Sequence, residues 1–121
     1  MWMILQIAAG GALSAVLRYG IVSGSARLLG AGFPLGTVLV NVLGSFLMGL
    51  ATIALTARFG PVVMTGLLGG FTTFSAFSLD AVRLFEEGRL GAALVYVGGS
   101  VLLSLGALVM GMSLARGAAA A

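Results

Sequence analysis

The sequence predicts an all-α membrane protein of one domain, built from four transmembrane helices, the third broken near its middle. Three observations predict it. The 121 residues are 60% hydrophobic and 7% charged, with a mean hydropathy of +1.21, whereas a soluble domain carries about 25% charged residues. The apolar residues fall into four stretches of about 20–25, each enough to cross a hydrocarbon core of roughly 30 Å at about 1.5 Å per residue. Inside the third stretch stand two adjacent glycines and two threonines, Gly69-Gly70-Phe71-Thr72-Thr73, which are poor helix material.

The first segment spans 2–22 and carries Arg18. No basic region precedes its apolar run, so it reads as a span and not as a cleavable signal peptide, and Trp2 marks a membrane interface. A loop with Arg27, Gly30, Gly32 and Pro34 leads to the second segment, 35–57. The turn Arg58-Phe59-Gly60-Pro61 leads to the third, 62–85, broken at 69–73. In lipid each unpaired backbone group costs several kcal/mol, so such a break survives only inside protein or against a bound ion or water. Glu86, Glu87, Gly88 and Arg89 form the next turn, and the fourth segment spans 90–114. No internal repeat is evident.

Composition excludes several classes of function. With no cysteine there are no disulfides or thiolate metal sites, and with no histidine or lysine most hydrolase and transferase chemistry lacks its base. The six arginines are scattered, so the net charge of +3 is no nucleic-acid footprint; they suit loops and headgroups. Arg58 and Arg116 fall on one side of the membrane and Arg27 and Arg89 on the other. Orientation is thus weakly specified, or both orientations are used, which would allow an antiparallel dimer.

Three of the four segments carry a polar or small stripe at a spacing of four. The stripes are Gln6, Gly10, Ser14 and Arg18 in the first segment, and Thr37, Asn41, Ser45 and Gly49 in the second. In the fourth they are Tyr96, Ser100 and Ser104. Residues four apart share a helical face. Close helix packing explains the small residues. An amide and a phenol in mid-membrane need partners, and three such stripes can line a polar path.

The candidate lining is neutral, with hydroxyls and an amide beside Phe74 and Phe77; Asp80 lies nearly two turns past the break. That disfavours proton coupling and cation attraction. Arg18 near one mouth favours an anion. Hydroxyl and amide donors, and the slightly positive edges of aromatic rings, can replace the water around a small anion. Ordinary packing also explains Phe74 and Phe77. At the break, carbonyls from two related chains could coordinate one monovalent cation, or the break could be a plain kink rescued by hydroxyls.

The stretch GGFTTFSAFS at 69–78 resembles the signature of the Fluc/CrcB family of fluoride channels. Gly11-Ala12 followed by Arg18-Tyr19, the run GTVLVNVLGSF at 36–46, and the row Tyr96, Ser100 and Ser104 are similar to its patterns in the other helices. All four segments match in order. The resemblance implies a dual-topology, antiparallel homodimer in the cell (inner or plasma) membrane, holding two fluoride pores. Phe74 and Phe77 would then present ring edges to the ions, Asn41 would donate beside them, and Thr37 would lie toward the vestibule. Tyr96, Ser100 and Ser104 would form a polar track, with Arg18 at the vestibule. Backbone carbonyls of Gly69 and Thr72 from both chains would hold a structural Na⁺. The implied partners are fluoride, lipid and a second copy of the chain, with no nucleic acid and no enzymatic activity.

The chain departs from the family pattern at Ala76, where Thr is usual, at Asp80, where Glu is usual, and at Ser14, where Gly is common. Two rival readings stand beside the channel. A small dual-topology multidrug exporter has similar length but needs a membrane-embedded Glu in its first helix, where this chain offers Gln6 and Arg18. A non-transporting scaffold predicts that stripe substitutions disturb assembly and no flux.

Overall fold

The structure is a computed structural model that describes residues 1–30, 32–55 and 61–120. Its elements are α1 (Trp2–Leu29), α2 (Leu35–Ala54), a π-helix (Pro61–Leu68), α3 (Gly69–Phe71), α4 (Phe74–Glu86) and α5 (Leu90–Ala120). Three helices, α1, α2 and the Leu90–Ala118 part of α5, are long and apolar enough to cross a membrane. Their outer faces remain apolar: Val16 and Leu102 are exposed, as suits residues that face hydrocarbon. This is a membrane protein.

Two of the helices outrun the hydropathy. α1 runs to Leu29 instead of residue 22, with Arg27 in its last turn, where a cation meets the negative end of the helix dipole. Gly30 ends it at φ +88°. α5 runs past 114 to Ala120. α2 stops at Ala54, with Leu55 extended. The expected residues 56 and 57 and the turn residues Arg58, Phe59 and Gly60 lie outside the described residues.

The third segment is in pieces, but the glycines are not where it opens. Gly69 and Gly70 are helical, and the chain becomes extended at Thr72 (ψ 157°) and Thr73 (φ −154°, ψ 127°). Thr72 closes the upstream helix by giving both its N–H and its hydroxyl to the Leu68 carbonyl, each at 3.1 Å. Thr73 opens α4 as its N-cap, its Oγ1 accepting from the Ala76 N–H at 3.3 Å. That cap uses the backbone of residue 76, so the alanine there does not remove it.

α4 ends in a Schellman motif: the Arg89 N–H bonds the Leu84 carbonyl, the Gly88 N–H bonds that of Phe85, and Gly88 sits at φ +77°. The Arg89 guanidinium then donates to the Gly32 carbonyl, tying this turn to the α1–α2 loop on one side of the molecule. α2 and α5 both start from that side and run parallel, making the most extensive helix pair. Gly49 lies against the Leu108 carbonyl and Gly111 against that of Phe46, so the backbones touch where side chains are missing. On the opposite flank α1 packs on the π-helix and α3. There the fully buried Ser14 donates to the carbonyls of Gly11 (3.2 Å) and Gly66 (3.3 Å), the second of these lying in the π-helix.

Candidate functional site

The site follows from how α4 is attached. The Thr73 N–H, which in a continuous helix would bond the Gly69 carbonyl, donates instead to Asn41 Oδ1 at 2.8 Å. Asn41 Nδ2 returns a bond to the Thr73 carbonyl at 3.2 Å. The amide of α2 thus stands in for the missing helical turn and sets the direction in which α4 leaves. It also releases the Gly69 carbonyl from its i+4 partner, next to an extended Thr72.

A cavity of about 240 Å³ lies beside this junction, lined by Asn41, Ser45, Thr72, Thr73, Phe74, Phe77, Ser100, Val101 and Ser104. It has room for several waters or ions. Phe74 and Phe77 lie 5.5 Å apart between ring centroids with planes tilted by 54°. Their settings differ: Phe77 is 8% exposed, and Phe74, on the open side of the cavity, is 77% exposed. Ser100 Oγ and Ser104 Oγ are both buried and have no hydrogen-bond partner among the described residues. A buried hydroxyl left dry costs roughly 1–3 kcal/mol, so these two serines are the unsatisfied polar groups among the residues that line the cavity.

Five of the expected pathway residues therefore share one cavity: Phe74, Phe77, Asn41, Ser100 and Ser104. Thr37 and Tyr96 do not. Both turn their hydroxyls onto one carboxylate oxygen, Asp80 Oδ2, with Thr37 Oγ1 at 2.9 Å and Tyr96 Oη at 3.2 Å. Tyr96 is 1% exposed and packs on Phe77 (centroids 5.3 Å) and on the edge of Phe33 (5.6 Å). The lining expected to be neutral thus ends in a carboxylate. Asp80 is the residue that the reading of stripes missed. It stands three residues after Phe77, itself three after Phe74, on one face of α4, but that spacing does not show its partners on α2 and α5.

Arg18, expected at the vestibule, is half-buried on α1 and lines neither this cavity nor a second one of about 160 Å³. Its Nε is buried without a hydrogen-bond partner among the described residues. The second cavity lies toward the loop side, lined in part by Ser25, Phe33, Thr37 and Asp80. Ser78 Oγ donates to the Phe74 carbonyl at 2.9 Å, bonding to the preceding turn. Among the described residues no cluster of His, Cys, Asp or Glu has the make-up of a metal site; the oxygens expected to meet a cation are backbone carbonyls.

Residues 5–112 match the model of the family described as CrcB-like protein, Camphor Resistance (CrcB). The chain is 57% identical over 117 residues to a protein of Cereibacter sphaeroides named fluoride-specific ion channel FluC, covering 94% of each chain. It is 55% identical over 120 residues to the protein of that name from Ruegeria, again covering 94% of each. It is 50% identical over 117 residues to that of Paracoccus denitrificans, covering 93% of this chain and 94% of the relative.

Proposed function

The chain belongs to the CrcB-like family, and from that premise we propose that it is a fluoride-selective channel that passively exports F⁻ across the cell's inner membrane. The observation that carries this reading is the pair of buried, unpartnered hydroxyls on Ser100 and Ser104, residues that line one cavity with Phe74, Phe77 and Asn41. Hydroxyls are donors, ring edges are weakly positive, and one N–H of the Asn41 amide remains beyond its bond to Thr73. Such a wall replaces the hydration of a small, hard anion without a fixed positive charge that would hold it.

The working unit in this reading is an antiparallel homodimer of dual topology with two pores. The 77% exposure of Phe74 supports it, because one chain walls the cavity on one side and a second copy would close the other. The freed Gly69 carbonyl and its neighbour at Thr72 supply hard oxygen donors suited to a monovalent cation. Gly69 and Thr72 of both copies would hold a structural Na⁺, whose charge would offset the converging carbonyl dipoles. With a potential negative inside, outward movement of the anion is favoured by about 2.3 kcal/mol per 100 mV.

The test is efflux from liposomes loaded with potassium fluoride or potassium chloride, with valinomycin added and a halide electrode outside. Fast fluoride release with silent chloride is the expected result. Folded protein that releases no fluoride returns the chain to the scaffold reading. Release driven by a proton gradient would favour an exporter.

A further inference from the structure

The two cavities share no lining residue, and a hydrogen-bonded cluster stands between them. Thr37 and Asp80 line the loop-side cavity, and each has a helical neighbour in the other: Asn41 four residues on from Thr37, and Phe77 three residues before Asp80. Tyr96, the third member, lies four residues before Ser100. A route from one cavity to the other along the facing sides of α2, α4 and α5 runs past this cluster. At that point both hydroxyl donors are already occupied, by the single oxygen Asp80 Oδ2. The other carboxylate oxygen has no partner among the described residues, and Asp80 borders the loop-side cavity.

We propose that Asp80 acts as a tethered anion: its carboxylate occupies the donor site formed by Thr37 and Tyr96, and a permeating anion passes by displacing it. The inference rests on the fluoride reading and deepens it. The chemistry is an exchange of one hydrogen-bonded anion for another, with no bond made or broken. A carboxylate and a small anion want the same two hydroxyls, and two negative charges there repel each other. The donor pair therefore becomes available only when the carboxylate swings away, toward the loop-side cavity. Asp80 thereby limits how readily the path fills, and the strength of its hold sets the concentration at which flux saturates. Thr37 and Tyr96 are specificity-determining residues in this scheme, because an ion must compete with a carboxylate for them. An anion that accepts hydrogen bonds weakly does so poorly.

The experiment is fluoride efflux from liposomes as a function of internal fluoride, comparing the wild-type chain with Asp80→Asn and with Asp80→Asn combined with Tyr96→Phe. All are reconstituted as the full-length protein and checked by size exclusion. Asp80→Asn is expected to lower the half-saturating fluoride concentration by about tenfold, the scale of one like-charge interaction across several ångströms of intermediate dielectric. Adding Tyr96→Phe is expected to reverse most of that gain, since the freed hydroxyl then serves the ion. Asp80→Ala gives the same test should Asn at this position fail to fold. A half-saturation unchanged in Asp80→Asn, a loss of flux from well-folded Asp80→Asn, or a failure of both variants to fold overturns the proposal, leaving Asp80 as a strut that orients Tyr96. A wild-type chain silent to fluoride is a different result: it removes the channel reading itself.

Discussion

Asn41 and Thr73 are joined twice, the amide oxygen taking the Thr73 N–H at 2.8 Å and the amide nitrogen giving to the Thr73 carbonyl at 3.2 Å. One side chain on α2 therefore satisfies both backbone groups of the residue at which the third segment opens. This explains why the break is tolerated in an apolar protein, and it places Asn41 in two roles, since the same amide borders the cavity.

The two roles separate by substitution. Asn41→Asp keeps an acceptor for the Thr73 N–H but sets a carboxylate against the Thr73 carbonyl and puts negative charge in the anion path; fluoride efflux is expected to vanish. Asn41→Ala removes both bonds and leaves two backbone groups unpaired, at about 1–3 kcal/mol each. It should lower the thermal midpoint of the purified protein markedly. Undiminished efflux in Asn41→Asp would remove Asn41 from the path.

Phe77→Ile is expected to cut fluoride efflux sharply while leaving the protein folded. Isoleucine fills much of the volume beside Tyr96, so packing is largely kept. It has no ring edge to present to an ion. A wild-type rate from verified folded protein would return Phe77 to plain packing in its cluster with Tyr96, Ala93 and Leu84.

The parallel contact of α2 and α5 supplies a stability prediction. A Cβ at Gly111 would overlap the Phe46 carbonyl, which is backbone and has little freedom to move. Gly111→Ala should therefore cost about 1–3 kcal/mol, the usual cost of overpacking. Gly106→Ala, where the space is open, should cost nothing measurable. Thermal unfolding in detergent separates the two, and equal midpoints would mean that the helices do not meet at this register.

Much of this organisation was legible in the residues, and the exceptions have physical causes. Composition and four apolar runs gave the helices. The runs did not give their ends, because hydropathy measures the thickness of hydrocarbon while Ala, Arg and Leu carry a helix on past it, as in α1 to Leu29. The Gly-Gly-Phe-Thr-Thr pattern located the break to within three residues. It did not choose between the glycines and the threonines, because propensity ignores packing: Gly70 is pressed against Ser14 and Gly11 of α1 and stays helical there. The spacing of four put Asn41, Ser100 and Ser104 on their faces. It was silent on Asp80, because the meeting of Thr37, Asp80 and Tyr96 depends on the relative placement of three helices, which no period within one helix encodes.

Two serines buried on different helices give the last prediction, since they differ in whether the protein uses their hydroxyls. Ser14 is spent internally, on the Gly11 and Gly66 carbonyls at the seam between α1 and the π-helix. The Ser100 hydroxyl has no partner among the described residues, and the residue lines the cavity. Ser14→Ala leaves a buried π-helix carbonyl short of a donor and should lower stability by about 1 kcal/mol, while the fluoride flux per folded protein stays near wild type. Ser100→Ala removes an orphaned polar atom, so stability should hold or rise, and the flux should fall, because an ion loses one of the few donors among the lining residues. Measuring the thermal midpoint and the efflux rate on the same preparations reads both effects at once. If Ser100→Ala lowers the midpoint and leaves the flux alone, its hydroxyl is a packing group and the cavity wall loses its claim to be the anion's path.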